Sequence, residues 1–92
     1  MIRSFADKDT QACYEGRRVR RFEGFRAQAE KRLQILRRAR TLDDLRGLPS
    51  NRLEALSGDR AGQLSIRINQ QWRLCFRWQE GDAYDVEVVD YH

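Results

Sequence analysis

Histidine is almost absent from this chain of 92 residues: there is one, His92, and it is the last. A single imidazole rules out a histidine-rich metal site and gives this side chain's proton chemistry one place to happen near neutral pH. Cysteine is scarce too. Cys13 and Cys75 stand at no metal-ligand spacing, and nothing else completes a site, so neither a metal nor a cofactor is expected. There is no signal peptide, no transmembrane run and no dense cysteine framework. On these absences neither a membrane-spanning protein nor a disulfide-stapled secreted domain is expected. They point to a reducing cytoplasmic home, with both thiols as packing residues. Internal repeats and low-complexity linkers are also missing. Lysine is the last shortage: of 18 basic residues, 16 are arginine and only Lys8 and Lys31 are lysine. Solubility has no need to prefer arginine. Recognition of phosphate does, because the planar guanidinium donates two parallel hydrogen bonds and stacks on bases.

What is present is a short, strongly charged chain, 40% hydrophobic and 35% charged. At this length one modest core is expected, hence a single domain over residues 1–92. The charge is segregated. Residues 1–79 carry 18 basic and 9 acidic side chains, a net of +9, whereas residues 80–92 carry five acids and no Lys or Arg. A basic body with a pI near 9.6 is expected to approach polyanions and to bind them less tightly as salt rises. No amphipathic anchor helix stands out, so a nucleic acid is favoured over a membrane.

Met1–Phe5 alternates briefly and reads as a first strand, after which Asp7 or Asp9 caps a short helix ending near Gly16. The basic cluster Arg17–Arg21 is a connector or the start of the next helix. From Phe22 to Arg40 the period is helical, with Phe22, Phe25, Ala29, Leu33 and Leu36 on one stripe that packs on a sheet. Thr41 offers a fresh N-cap with Asp44 three residues on, for a short turn ending before Pro49. A strand then runs through Leu64, Ile66 and Ile68. Trp72, Leu74, Phe76 and Trp78 alternate with Arg73, Cys75 and Arg77, a pattern that suits a two-faced strand. Glu80-Gly81-Asp82 makes a hairpin turn, and Tyr84, Val86 and Val88 alternate along the last strand. The fold class is α+β: two N-terminal helices packed on one face of a mainly antiparallel sheet. On the other face Arg67, Arg73 and Arg77 form a candidate nucleic-acid platform, unless Arg73 or Arg77 pairs across strands with Asp85 or Glu87.

The terminal Asp90-Tyr91-His92 collects a carboxylate, a phenol and an imidazole, the common materials of proton transfer. Taken with Leu56-Ser57-Gly58-Asp59-Arg60, Gly62, Ser65-Ile66-Arg67-Ile68, Trp72-Arg73-Leu74-Cys75-Phe76 and Gly81-Asp82-Ala83-Tyr84, it resembles the HigB-type toxins of bacterial toxin–antitoxin modules. These belong to the RelE superfamily, and the likeness runs the length of the chain, with the middle helix only loosely constrained. It implies a RelE-like domain that enters the ribosomal A site and cleaves bound messenger RNA. It also implies a HigA-like helix-turn-helix antitoxin that neutralises the toxin, and operator DNA bound only through the complex of the two.

Metal-free RNA cleavage with the neighbouring 2′-hydroxyl as nucleophile needs a base, a cation for the developing charge on phosphorus, and an acid for the 5′ oxygen. Arg73, at the family's Trp-Arg position, is the candidate cation. Asp90 and His92 share strand parity, which permits an acid/base pair or an Asp90 that orients His92. Tyr91 has the opposite parity and is expected to pack or hold the terminus. Some relatives have His-Pro-Leu-Lys where this chain has Glu54-Ala55-Leu56-Ser57, so Glu54 is either a substitute base or a salt-bridge partner of Arg52 or Arg60. The candidate catalytic set is therefore Arg73, Asp90, Tyr91, His92 and Glu54, and the RNA-binding set is Arg60, Arg67, Gln71 and Arg77. Without the second histidine and the lysine, weak nuclease activity that depends on the ribosome is expected. The alternatives are a non-catalytic basic toxin that binds RNA or the ribosome, and a DNA-binding co-repressor acting with a helix-turn-helix partner.

Overall fold

Asp7 starts the first helix as its position suggests. Its side chain accepts the Thr10 amide at 3.3 Å, and α1 runs Lys8–Tyr14. The computed structural model describes residues 1–90. The helical period read from Phe22 to Arg40 divides in two: Arg20–Phe25 is a 3₁₀ segment and α2 spans Arg26–Arg38. Gly24 weakens the first turns, and Phe25 at the junction is non-helical (φ −141°, ψ 26°). A three-residue repeat still puts Phe22 and Phe25 on one side, so both reach the core beside Ala29, Leu33 and Leu36. Thr41 and Asp44 form the expected capping box for α3, Leu42–Arg46. The amides of Arg40 and Thr41 donate to the Asp44 carboxylate and hold it below the usual carboxylate range.

The sheet has four strands in sequential antiparallel order: β1 Glu54–Ala55, β2 Leu64–Arg67, β3 Trp72–Gln79 and β4 Asp82–Asp90. Two residues, Glu80 (φ 51°) and Gly81 (φ 83°), close the β3–β4 hairpin, both left-handed as a type I′ turn requires. Asp82 already belongs to β4. The last strand departs from simple alternation. Register shifts between Cys75↔Glu87 and Arg77↔Tyr84, and Asp85 takes a left-handed φ of 53°, so β4 carries an extra residue. Parity reverses there. Ala83, rather than Tyr84, shares the buried face with Val86 and Val88.

The same bulge explains why Met1–Phe5 is not a regular strand. It lies alongside β4 and makes only two isolated parallel bridges, Ile2↔Ala83 and Phe5↔Val86. Between them Ser4 serves the bulge, its Oγ accepting the Asp85 amide at 2.9 Å and its carbonyl accepting the Val86 amide at 3.1 Å. The helices cover one face of the sheet, where the α2 stripe meets Ile66, Leu74, Phe76, Val86 and Val88. Trp72 extends this core by stacking on Phe25 with ring centroids 4.7 Å apart. The α+β reading is borne out. No helix of the described residues is long and apolar enough to cross a membrane.

Candidate functional site

Two loops meet over the second face of the sheet. The link between β2 and β3 is shaped by Asn69, whose Oδ1 accepts the amides of Gln71 and Trp72, both at 2.8 Å. Its carbonyl accepts Arg67 Nε at 3.1 Å. The other loop follows α3. Pro49 starts a short 3₁₀ turn, Asn51 is fully buried, and Arg52 takes a left-handed backbone (φ 45°, ψ 55°). Asn51 Nδ2 donates to the Leu45 carbonyl at 2.9 Å, while its Oδ1 accepts from Arg32. A buried amide used on both sides ties this loop to α2 and α3.

Between the loops lies a groove of about 460 Å³ lined by Arg52, Leu53, Glu54, Arg67, Asn69, Gln70 and Arg73. It continues past Arg52 and Arg67 into a depression that reaches Arg32, Pro49 and Ser50. Four guanidiniums thus face one carboxylate, Glu54, with two neutral amides between them. Burial pulls the Arg32 guanidinium below its ordinary value.

Arg73 is the centre of the groove and its least exposed cation. A strand arginine opposite an apolar row reads as solvent-facing, yet Arg73 is 7% exposed. Its Nε donates to Ser65 Oγ at 2.7 Å, and its Nη2 donates to the Arg52 carbonyl at 2.7 Å and faces Glu54 Oε1 at 3.1 Å. The left-handed turn at Arg52 is what aims that carbonyl at the guanidinium. The second face is therefore no open platform. Ser65 and Cys75 are cross-strand partners on it and both are fully buried. The loop after β1, closed by a Leu56 amide to Gln63 carbonyl bond of 2.9 Å, sends Arg60 across this face to Glu87, the β4 partner of Cys75.

Glu54 bridges neither Arg52 nor Arg60. Its pairing with Ser65 across β1–β2 puts the carboxylate on the Arg73 side. Arg60 instead holds Glu87 at 3.2 Å, and Arg77 holds Asp85 at 3.5 Å, the cross-strand alternative foreseen for it. Neither lines the groove. Of the proposed RNA contacts, Arg67 lies in the groove, while Gln71 donates to Asp90 Oδ2 at 3.1 Å. Asp90 pairs across the sheet with Trp72, and Val89 with Arg73, so Asp90 belongs to the Trp72 row. Tyr91 and His92 lie outside the described residues.

Sequence reasoning missed Arg52, Asn69 and Gln70. The Asn-Gln-Gln run before Trp72 is a turn signal that hinted at Asn69. A backbone carbonyl offered by Arg52 leaves no trace in residue identity. Burial pushes the Cys75 thiol up, which disfavours a thiolate nucleophile there. Among the described residues no group of three or more His, Cys, Asp or Glu side chains could hold a metal ion.

Residues 3–92 match the family of the RelE-like toxin of type II toxin–antitoxin system HigB. The chain is 38% identical over 85 residues to Toxin HigB-1 of Vibrio cholerae, covering 90% of each chain. It is 44% identical over 41 residues, 45% of each chain, to Endoribonuclease HigB of Proteus vulgaris. In fold it is similar to a YoeB/ParE toxin from Agrobacterium tumefaciens, at a TM-score of 0.57 and 17% identity over 98% of this chain and 99% of that one.

Proposed function

The chain belongs to the RelE-like HigB toxins of type II toxin–antitoxin systems, and on that premise we propose that it is a ribosome-dependent endoribonuclease. It acts on messenger RNA in the ribosomal A site, needs no metal, and is neutralised by a HigA-like helix-turn-helix antitoxin. Operator DNA is reached only through that complex. The observation that carries the reading is the groove around Arg73. A nearly buried guanidinium is fixed by Ser65 and the Arg52 carbonyl, beside the groove arginines Arg52 and Arg67. A preorganised cation of this kind suits the charge that develops on phosphorus when a 2′-oxygen attacks it. Arg52 and Arg67 hold the flanking phosphates, and Asn69 and Gln70 offer amides to base edges.

The proton carriers are fewer. Glu54, half-exposed and 3.1 Å from Arg73, takes the 2′-hydroxyl proton in this scheme, and His92 supplies the proton for the departing 5′ oxygen, with Asp90 and Tyr91 holding the terminus. Arg60 and Arg77 brace the far part of the second face. So sparse a set leaves the ribosome to position the message, and free RNA is a poor substrate.

The test is primer extension on messages from cells expressing the chain. Cuts within translated codons are expected, and they disappear with Arg73→Ala and with deletion of His92. If both variants still cut and still stop growth, the assignment fails. A second reading is favoured by one observation: among the described residues Glu54 is the one carboxylate that lines the groove, and it is paired with Arg73. It is a toxin that blocks the ribosome without hydrolysis, and it would arrest growth with no new RNA ends.

A further inference from the structure

Some arginines answer the protein's own acids and some do not. Arg17, Arg18, Arg21 and Arg26 each hold a carboxylate, as do Arg60 and Arg77. Apart from Arg20, the arginines with no ion pair among the described residues fall in two places. One is the groove and its extension, with Arg32, Arg52 and Arg67. The other is the end of α2, where Arg37, Arg38 and Arg40 are all exposed. These three line an open depression of about 590 Å³ against Met1 and the β3–β4 turn.

The acids beside this depression do not cancel it. Asp82 is held by Arg3 at 3.1 Å and lies 3.5 Å from the chain's amino terminus, which keeps its carboxyl below the usual range. Asp44, outside the lining, accepts the Arg40 amide at 2.8 Å and offsets part of the Arg40 charge, and within the depression Glu80 is left against three guanidiniums. The negative end of a helix accounts for part of the clustering, since Arg37 and Arg38 occupy the last turn of α2. It does not account for Arg40, which follows the extended Ala39 and lies beyond the helix. The Arg40 segment is also held against the hairpin: a Cβ at Gly81 would stand 3.1 Å from the Arg40 carbonyl. Apart from Met1, no large apolar side chain lines the depression, so a protein partner would find little to bury there.

We propose that this depression is a second polyanion contact, taking the phosphodiester backbone of ribosomal RNA while the groove takes the message. The proposal rests on the ribosome-directed reading above. The groove lies at the Trp72 end of β3 and the depression beyond its Gln79 end, so the two are separated by roughly the 25 Å length of an eight-residue strand. A toxin gripped at both ends of β3 is oriented on the ribosome as well as attracted to it.

The experiment measures binding of the full chain and of an Arg37→Gln, Arg38→Gln, Arg40→Gln variant to purified small ribosomal subunits over a range of salt. The variant is expected to lower the slope of log affinity against log salt by about 2–3, and to bind roughly a hundredfold more weakly at 0.1 M salt. Affinity for the antitoxin should not move. An unchanged slope and affinity overturns the proposal and leaves the ribosome-directed reading intact, whereas failure of the unsubstituted chain to bind subunits sinks both. Loss of antitoxin affinity with unchanged subunit binding assigns the depression to a protein partner and also overturns it. Should the triple variant not fold, Arg40→Gln, outside α2, is expected to show about a third of the slope change.

Discussion

Arg73 and Leu74 are neighbours on β3, and both are almost fully buried, by opposite means. Leu74 points to the helices and is enclosed by apolar side chains from α2, β2 and β4. Arg73 points the other way and is enclosed by hydrogen-bond acceptors: a serine hydroxyl, a backbone carbonyl and a carboxylate. The helix face gains stability from apolar area and tolerates no polar atom without a partner. On the second face the chain keeps a cation out of bulk water, which makes its field stronger at short range. One face holds the fold; the other spends part of that stability on a charge in a fixed position.

The largest effect should come from breaking the helix face. Phe76→Ala removes a fully buried ring and is expected to lower stability by about 3–5 kcal/mol, read by urea unfolding. Whatever fraction remains folded should still cut messages, because Phe76 is absent from the groove. A stable Phe76→Ala protein that has lost cleavage would break the division between faces. Next in size is Arg73→Ala. It strands Ser65 Oγ and the Arg52 carbonyl, at about 1–3 kcal/mol, and is expected to reduce cleavage at least about a hundredfold. Arg73→Lys keeps the charge but cannot reach both acceptors with a planar fork. It should recover stability better than it recovers cleavage.

Glu54→Gln sharpens the comparison at its most exposed member. Because Glu54 is half in solvent, the loss of its ion pair should cost less than about 1 kcal/mol. Cleavage is expected to fall at least tenfold, as for removal of a general base. A rate within about a factor of two of the unsubstituted protein would reduce Glu54 to a brace for Arg73.

The smallest effect concerns pH. Asp82 and Asp44 have carboxyls held below their ordinary value near 3.8, the first chiefly by the Arg3 side chain and the second chiefly by the Arg40 amide. A carboxyl lowered on folding contributes stability that is present above its unfolded value and lost as pH falls through the folded one. Stability should therefore decline at the acid end, below about pH 4. Asp82→Asn should flatten that decline slightly by lowering the neutral plateau toward the acid value, with stability at the acid end unchanged. A decline of equal steepness in the variant would assign acid sensitivity elsewhere.

Much of this molecule was legible in the order of its residues. The Asp7 cap, the Thr41–Asp44 box, the α2 stripe and the β3–β4 hairpin all depend on neighbours a few positions apart, and local geometry repeats wherever such residues recur. The bulge at Asp85 was not legible, because an acidic residue in an alternating run gives no warning of a left-handed backbone. It forms where Ser4, far away in sequence, can accept the freed amides. The groove was legible in part. Arg67, Arg73 and Glu54 were named from the chain, whereas the partners that fix Arg73 were not.

By itself the sequence determined the class of the fold, the basic character of the body and the family to which it belongs, because period, charge and ordered motifs are properties of the chain. Tertiary structure alone decided that Arg73 is buried rather than displayed, that Glu54 answers Arg73 rather than Arg52 or Arg60, and that Arg60 and Arg77 stand outside the groove. The reason is physical: an arginine is attracted to any acceptor within reach. Which acceptor comes within reach is set by loop closure and strand register over tens of residues, and by the left-handed turn at Arg52 that directs one carbonyl inward.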